Sequence, residues 1–206
     1  MSRPDAAASD PELILAFWFG DLNASGLADA EHSRRWFTKD PAFDAELRDR
    51  FGALHAAVVA GERAGWQESA RGCLAAVIVL DQLSRNMFRD TPRMFATDEA
   101  ALAVARDGLA RGFDRALRTH ERMFLFMPFM HSEALADQER CVALFQALLA
   151  EADDGARATV EYSLGYAVQH RDIVARFGRF PHRNRVLARD TTPEEAEFLT
   201  QPGSSF

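Results

Sequence analysis

Apolar residues recur along most of this chain at steps of three and four, the spacing that lays them along one face of a helix. Phe43, Leu47, Phe51, Leu54 and Val58 form the clearest stripe, entered through Asp40-Pro41 and closed by Gly61. The same start signal, a capping acid with proline at the first helical position, stands at Asp10-Pro11-Glu12; Ile14, Phe17 and Trp18 follow as a buried stripe until Gly20. A second short helix is expected to end near Trp36-Phe37. From Ser69 to Met87 the pattern changes. The run from Leu74 to Leu80 is apolar all round, which predicts a central helix covered on every side, and its polar second half is then anomalous.

Further helices are predicted from Thr97-Asp98 to Gly112 and from Thr119 to Met130, with Pro128 disturbing the last turn. Ser132 or a neighbour restarts helix through Ala150, and Asp153-Asp154-Gly155 interrupts it. Ala156 to Ala175 is helical again, with Gly178 as a left-handed cap. After the irregular Arg179 to Asn184, Thr192-Pro193-Glu194-Glu195 reads as a capping box opening a last short helix through Leu199.

No alternating apolar pattern surrounds a hairpin turn, so the fold class is all-α, antiparallel helical hairpins packed as an array with no β-sheet. Exact repeats are not visible, so a solenoid reading rests on helix lengths. A length of 206 residues with 48% hydrophobic content suits one domain over 1–206, with a core from about 11 to 199 and frayed tails. No metal or disulfide staple is needed for such a core.

Charge and composition narrow the function classes. A net charge of −7 argues against general binding to nucleic acid or a membrane surface, both of which require a positive field. The longest apolar stretch, Met123 to Met130, is too short to span a bilayer, and Met1 to Asp10 lacks the pattern of a secretory signal. A cytoplasmic location is expected. Cys73 and Cys141 lie far apart within apolar helical patterns and are read as buried hydrophobes. Lys39 is the one lysine among 24 basic residues, a genome-wide bias that leaves single arginines uninformative. Arginine clusters keep their meaning, because the guanidinium fork suits carboxylate and phosphate.

Three polar runs carry candidate chemistry. The first, Asp81, Gln82, Arg85, Asn86 and Arg89, extends the buried helix, and spacings of four place Asp81 with Arg85 and Gln82 with Asn86. It reads either as a set of ligand contacts or as a pinned helix end with Asp81 and Arg85 paired. The second is His131-Ser132-Glu133 with Asp137-Gln138, behind an apolar wall of Met123, Phe124, Phe126, Met127 and Phe129. Here His131 is the candidate base and Glu133 its orienting acid, whereas Ser132 is read as a helix cap. The third contains His170, Arg171, Arg176, Arg179, His182, Arg183, Asn184, Arg185 and Arg189. Such a cluster in an acidic chain points to a local anion patch, with Arg171 and Arg185 read as partners of surface acids. Phe177, Phe180 and Pro181 would anchor its backbone.

These runs, together with Arg35-Trp36-Phe37 and Thr192-Pro193-Glu194-Glu195, resemble the bacterial domain-of-unknown-function 924 family. The motifs are Leu80-Asp81-Gln82, Arg85-Asn86 and Phe88-Arg89, then His131-Ser132-Glu133 with Asp137-Gln138-Glu139, and Arg176 through Asn184. The resemblance runs from about Ile14 to Leu199. It implies an all-helical fold similar to tetratricopeptide-repeat arrays and no established activity. One departure is Ala188, where the family pattern has glycine. A tight turn before Arg189 is then in doubt, which ranks Arg189 below Arg176, Arg179 and Arg183.

Two functional readings follow. In the first, a pocket takes a small anionic ligand, phosphorylated or carboxylated. Asp81, Gln82, Arg85, Asn86, His170, Arg176, Arg179, Arg183 and Asn184 bind it. His131, Glu133 and His182 supply acid–base chemistry, of which hydrolysis is one form, with His170 as the alternative acid. In the second, a helical scaffold binds a peptide or protein partner and the polar runs are internal struts. No cofactor and no metal is expected, since His131, Glu133 and a further histidine match no compact zinc spacing. A homodimer is left open. The two readings separate on whether the runs converge on one hollow or disperse as buried pairs.

Overall fold

The computed structural model describes residues 10–205, so the expected fraying of the N-terminal tail lies outside the described residues. Ten α-helical segments follow one another: α1 (Pro11–Phe19), α2 (Ala30–Phe37), α3 (Pro41–Val59), α4 (Ala70–Val77), α5 (Ser84–Met87), α6 (Asp98–Ala110), α7 (Thr119–His131), α8 (Leu135–Glu151), α9 (Asp154–Phe177) and α10 (Pro193–Phe198). No strand occurs among the described residues. None of their helices is long and apolar enough to cross a membrane. The start signals act as their chemistry demands. Asp10, Asp29, Asp40 and Asp153 each accept a hydrogen bond from a backbone N–H in the first helical turn. Thr192 and Glu195 close a reciprocal capping box. Gly112 and Gly178 take the left-handed conformation after α6 and α9, at φ 71° and 69°.

The apolar run forms the centre of the array. Every residue from Gly72 to Ser84 is buried, with α1, α6 and α7 packed against α4. Close approach explains one glycine there: a Cβ at Gly72 would lie 2.0 Å from the Trp66 carbonyl oxygen. Beside this helix, Trp18, Phe19, Trp36 and Phe124 make an edge-to-face cluster, and Trp36 also meets the His120 ring edge-to-face. His120 Nδ1 accepts the Ala28 N–H at 2.9 Å, which commits its lone pair. Cys73 and Cys141 are buried free thiols, and burial pushes the Cys73 thiol up to about 11.

Between α4 and α5 the helix does not stop; Ile78–Leu83 widens into π geometry. Such turns free backbone carbonyls from their usual partners. Thr97 Oγ1 donates to the Leu80 carbonyl at 2.6 Å, and Arg85 Nη1 to the Asp81 carbonyl at 3.0 Å. Since the Thr97 hydroxyl proton is thus committed, Thr97 accepts from Ser84 Oγ at 2.8 Å, and Ser84 accepts from His55 Nε2 at 2.7 Å. A buried polar chain therefore runs from α3 to the residue before α6.

The other end of the array is set by α7, α8 and α9, joined by short connections. Pro128 is accommodated inside α7, which continues to His131. Gln138 Nε2 donates to the carbonyls of Met130 and Ser132 at 2.6 Å each, satisfying helix-end acceptors that would otherwise be buried bare. Beyond α9, Phe180 inserts with Ile173 and Val174 into a small second apolar cluster bordered by Phe177 and Phe198. After α10 the chain turns back at Gln201 to Ser204, and Ser204 Oγ donates to the Leu199 carbonyl at 3.2 Å.

Candidate functional site

The π turn and the end of α7 meet in one constellation. Asp81, with 0% of its side chain exposed, accepts from His131 Nδ1 at 2.8 Å and from Gln82 Nε2 at 2.5 Å, and makes an ion pair with Arg85 Nη1 at 2.8 Å. A buried carboxylate with two hydrogen-bond donors and a cation beside it is fixed in place. Burial alone would raise its pKa, but the Arg85 guanidinium and His131 outweigh that and hold it below the usual carboxylate range. Arg85 extends the network by a bidentate contact to Asp98 at 2.8 and 3.0 Å.

His131 stands where this network reaches open space. It lines a cleft of about 520 Å³ together with Phe95, Asp98, Glu99, Leu102, Pro128, Glu133 and Arg183. Burial first, and then Arg85, lowers its pKa, with Asp81 pulling the other way, so the ring is neutral at pH 7. Its Nδ1–H is spent on Asp81. Among the described residues Nε2 has no hydrogen-bond partner, so it keeps a lone pair on the cleft side. A neutral imidazole oriented through Nδ1 by a buried carboxylate has the arrangement of a general base.

Arg183 forms a second wall. Its guanidinium lies between the Phe95 and Phe180 rings, 4.5 and 4.6 Å from their centroids. Nη2 donates to the His131 carbonyl at 2.9 Å, and Nη1 makes a long contact of 3.3 Å to Asp98. Its buried Nε has no hydrogen-bond partner among the described residues. Burial, followed by repulsion from Arg85, lowers its pKa to about 10, which marks a cation with incomplete compensation.

Glu133 does not orient His131. Its carboxylate accepts from the Phe180 N–H at 2.7 Å and from both Arg189 Nη atoms at 2.7 and 3.0 Å, tying the end of α7 to the segment after α9. The orienter is Asp81, fifty positions earlier and within the π turn, whereas Glu133, two residues past the end of α7, is taken up by Phe180 and Arg189. His182 and His170 are held neutral as well. Burial depresses them to about 4 and about 3, so neither supplies an acid proton at pH 7. His170 Nδ1 donates to the Tyr166 carbonyl at 2.8 Å, and its ring centroid stands 6.5 Å from that of His131.

The arginine run divides. Arg183 reaches the cleft, but Arg179 makes a bidentate pair with Glu195 at 2.7 and 2.8 Å, and Arg176 pairs with Glu194 while lying over Phe177. Both fasten α9 to α10 and neither lines the hollow. Asn184 is also a strut, donating to Glu195 at 3.2 Å and accepting from Arg189 Nε at 3.0 Å. Arg171 and Arg185 meet the surface acids Asp172 and Asp90. Gln82 supports Asp81, and Asn86 is buried behind the cleft. Ser132 acts as a cap, accepting the Ala134 N–H at 3.2 Å and donating to Asp137 at 2.7 Å. Two contributors were not among the candidate site residues read from the sequence: Phe95 and Asp98. Asp98 looked like an ordinary first-turn acid, and only the tertiary fold places it against two arginines.

The tight turn before Arg189, in doubt from the sequence, is present. Ala188 adopts the left-handed conformation, φ 52°, in place of glycine, so the tight turn forms and delivers Arg189 to Glu133. A non-glycine residue there costs about 1–2 kcal/mol, partly offset by the greater freedom glycine gives the unfolded chain. Ala188→Gly should therefore stabilise the protein by about 0.5–1 kcal/mol. Urea denaturation reads this directly, and a loss of stability would contradict the assigned strain.

The family model described as "Bacterial protein of unknown function (DUF924)" matches residues 14–203. A solved structure, of a protein of unknown function from Agrobacterium tumefaciens, is 40% identical and superposes with a TM-score of 0.79, covering 95% of this chain and 98% of that one. No curated protein matches the sequence.

Proposed function

Because the chain belongs to the DUF924 family, whose members are bacterial proteins of unknown function, its chemistry must be argued from its own cleft, and we propose that this cleft binds a small anionic ligand on which His131 acts as general base. The observation that carries the reading is the 2.8 Å contact between buried Asp81 and His131 Nδ1 at the edge of a hollow. A helix that needed only a pinned end would be served by Asp81 and Arg85. The His131 Nδ1–H helps to satisfy the buried Asp81 carboxylate, but that role needs only one donor and gives no reason for a second ring nitrogen. Arg183 supplies the cationic contact, through a guanidinium edge that the protein leaves incompletely matched. In this arrangement Nε2 accepts a proton from the ligand or from a water molecule, and Asp81 stabilises the imidazolium that results.

The test is a thermal-shift panel of small carboxylates and phosphates on the wild type, Arg183→Gln and His131→Gln. Glutamine at 131 retains an N–H for Asp81, so the fold should persist. A ligand at about a hundred times its dissociation constant should stabilise the wild type by roughly 2.7 kcal/mol. Arg183→Gln should lose most of that gain. His131→Gln should keep binding while losing any turnover of the same compound. Equal stabilisation of wild type and Arg183→Gln by every active compound would place the ligand elsewhere.

A further inference from the structure

The distribution of charge around the cleft narrows the ligand further. Arg85 is met by Asp81 and Asp98, Arg189 by Glu133, and Arg183 shares Asp98. Three guanidiniums thus face three carboxylates, and the surround holds no surplus of positive charge. A phosphate carries about −1.5 to −2 at neutral pH and would have to displace an acid already in place. Among the described residues Arg183 Nε is buried without a hydrogen-bond partner, on a side chain with 7% exposure, so the charge of Arg183 is less than fully matched. That suits one carboxylate.

On the opposite count, the cleft has an acid to spare. Glu99 lines it, is exposed, and makes no ion pair among the described residues. It stands in the first turn of α6, where the positive end of a helix favours negative charge. The lining that Arg183 and Glu99 share includes apolar surface from Phe95, Leu102, Pro128 and Leu187. A cavity of about 520 Å³ exceeds what a single small anion would fill.

Resting on the reading of the cleft as a ligand site, we propose that its ligand is an apolar zwitterion of amino-acid or short-peptide size. Its carboxylate meets Arg183, its ammonium meets Glu99, and its hydrocarbon body lies on Phe95 and Leu102. His131 then faces the middle of the molecule.

Isothermal titration calorimetry at pH 7 with four probes tests this: leucine, its deaminated counterpart 4-methylpentanoate, the amine 3-methylbutylamine, and inorganic phosphate. Leucine should bind the wild type roughly tenfold or more tighter than either half-molecule, as a charge-assisted contact added at each end requires. Glu99→Gln, a change at an exposed position, should abolish the preference of leucine over 4-methylpentanoate without weakening the latter. Equal affinity for leucine and the acid, tighter binding of phosphate, or a preference that survives Glu99→Gln would overturn the zwitterion assignment while leaving an anion site standing. Failure of all four probes to bind would remove the ligand reading with it.

Discussion

Acidification from pH 7 to about pH 4.5 is expected to unfold this protein. His120, His170 and His182 are depressed by burial to about 4, 3 and 4 respectively. In the unfolded chain each would titrate near 6.5. Between those values the unfolded state binds protons that the folded state refuses, so stability falls as pH falls. The slope is about 1.4 kcal/mol per pH unit for each histidine. Three together give about 4 kcal/mol per unit, so two units remove roughly 8 kcal/mol, comparable to the whole stability of an ordinary domain. Asp81 acts in the same direction at lower pH. Its depressed pKa contributes stability above the unfolded value near 3.9 that is lost below it. Urea midpoints measured at pH 7, 6 and 5 check the prediction. A midpoint that stays constant over that range would mean the three imidazoles are protonated in the fold.

The second large effect is expected at Asp81. Asp81→Ala removes one of the two carboxylates that face Arg85 and the acceptor of His131 together, leaving a buried cation with Asp98 alone and a buried N–H unmatched. Truncating one member of such a pair costs about 3–5 kcal/mol. Replacing both by apolar residues of similar size, Asp81→Leu with Arg85→Met, should cost less than the sum of the single changes. Chemical denaturation of the four proteins in the cycle measures the difference. Additive losses would indicate that the two side chains do not depend on one another. The same carboxylate thus serves the fold and orients His131, so Asp81 variants read stability first, and His131→Gln is the cleaner probe of chemistry.

The helices were largely legible in the sequence because their signals are local. Capping acids before proline, stripes at steps of three and four, and glycines suited to left-handed closure each act within a few residues. The covered helix from Leu74 to Leu80 was legible too, since nothing but burial accommodates an apolar surface all round. His131 and Arg183 could be singled out because ionisable groups next to apolar walls need a reason. What could not be read was partnership. Asp81 and Glu133 are both acids near candidate bases in some arrangement, and spacing favoured the nearer one, whereas a π turn, which leaves no compositional trace, selected the distant one. Arg176 and Arg179 failed to reach the cleft for a related reason. Glu194 and Glu195 had been read only as capping residues, and a carboxylate can cap a helix and bind a guanidinium at once. Ala188 was informative in the opposite sense: the backbone reached its geometry without glycine because Glu133, Asn184 and the Phe180 carbonyl all anchor the arginine that follows.

The widened turn at Ile78–Leu83 acts as a phase shifter in the central helix. One extra residue in a turn rotates everything downstream by about 100° relative to an uninterrupted helix. Upstream, the side chains from Cys73 to Val77 are buried and apolar; downstream, Arg85 meets Asp98 on α6 and Arg89 meets Asp44 on α3. The offset allows a single rod to be greasy at one end and ionic at the other, and an insertion or deletion of one position within it should scramble both ends at once.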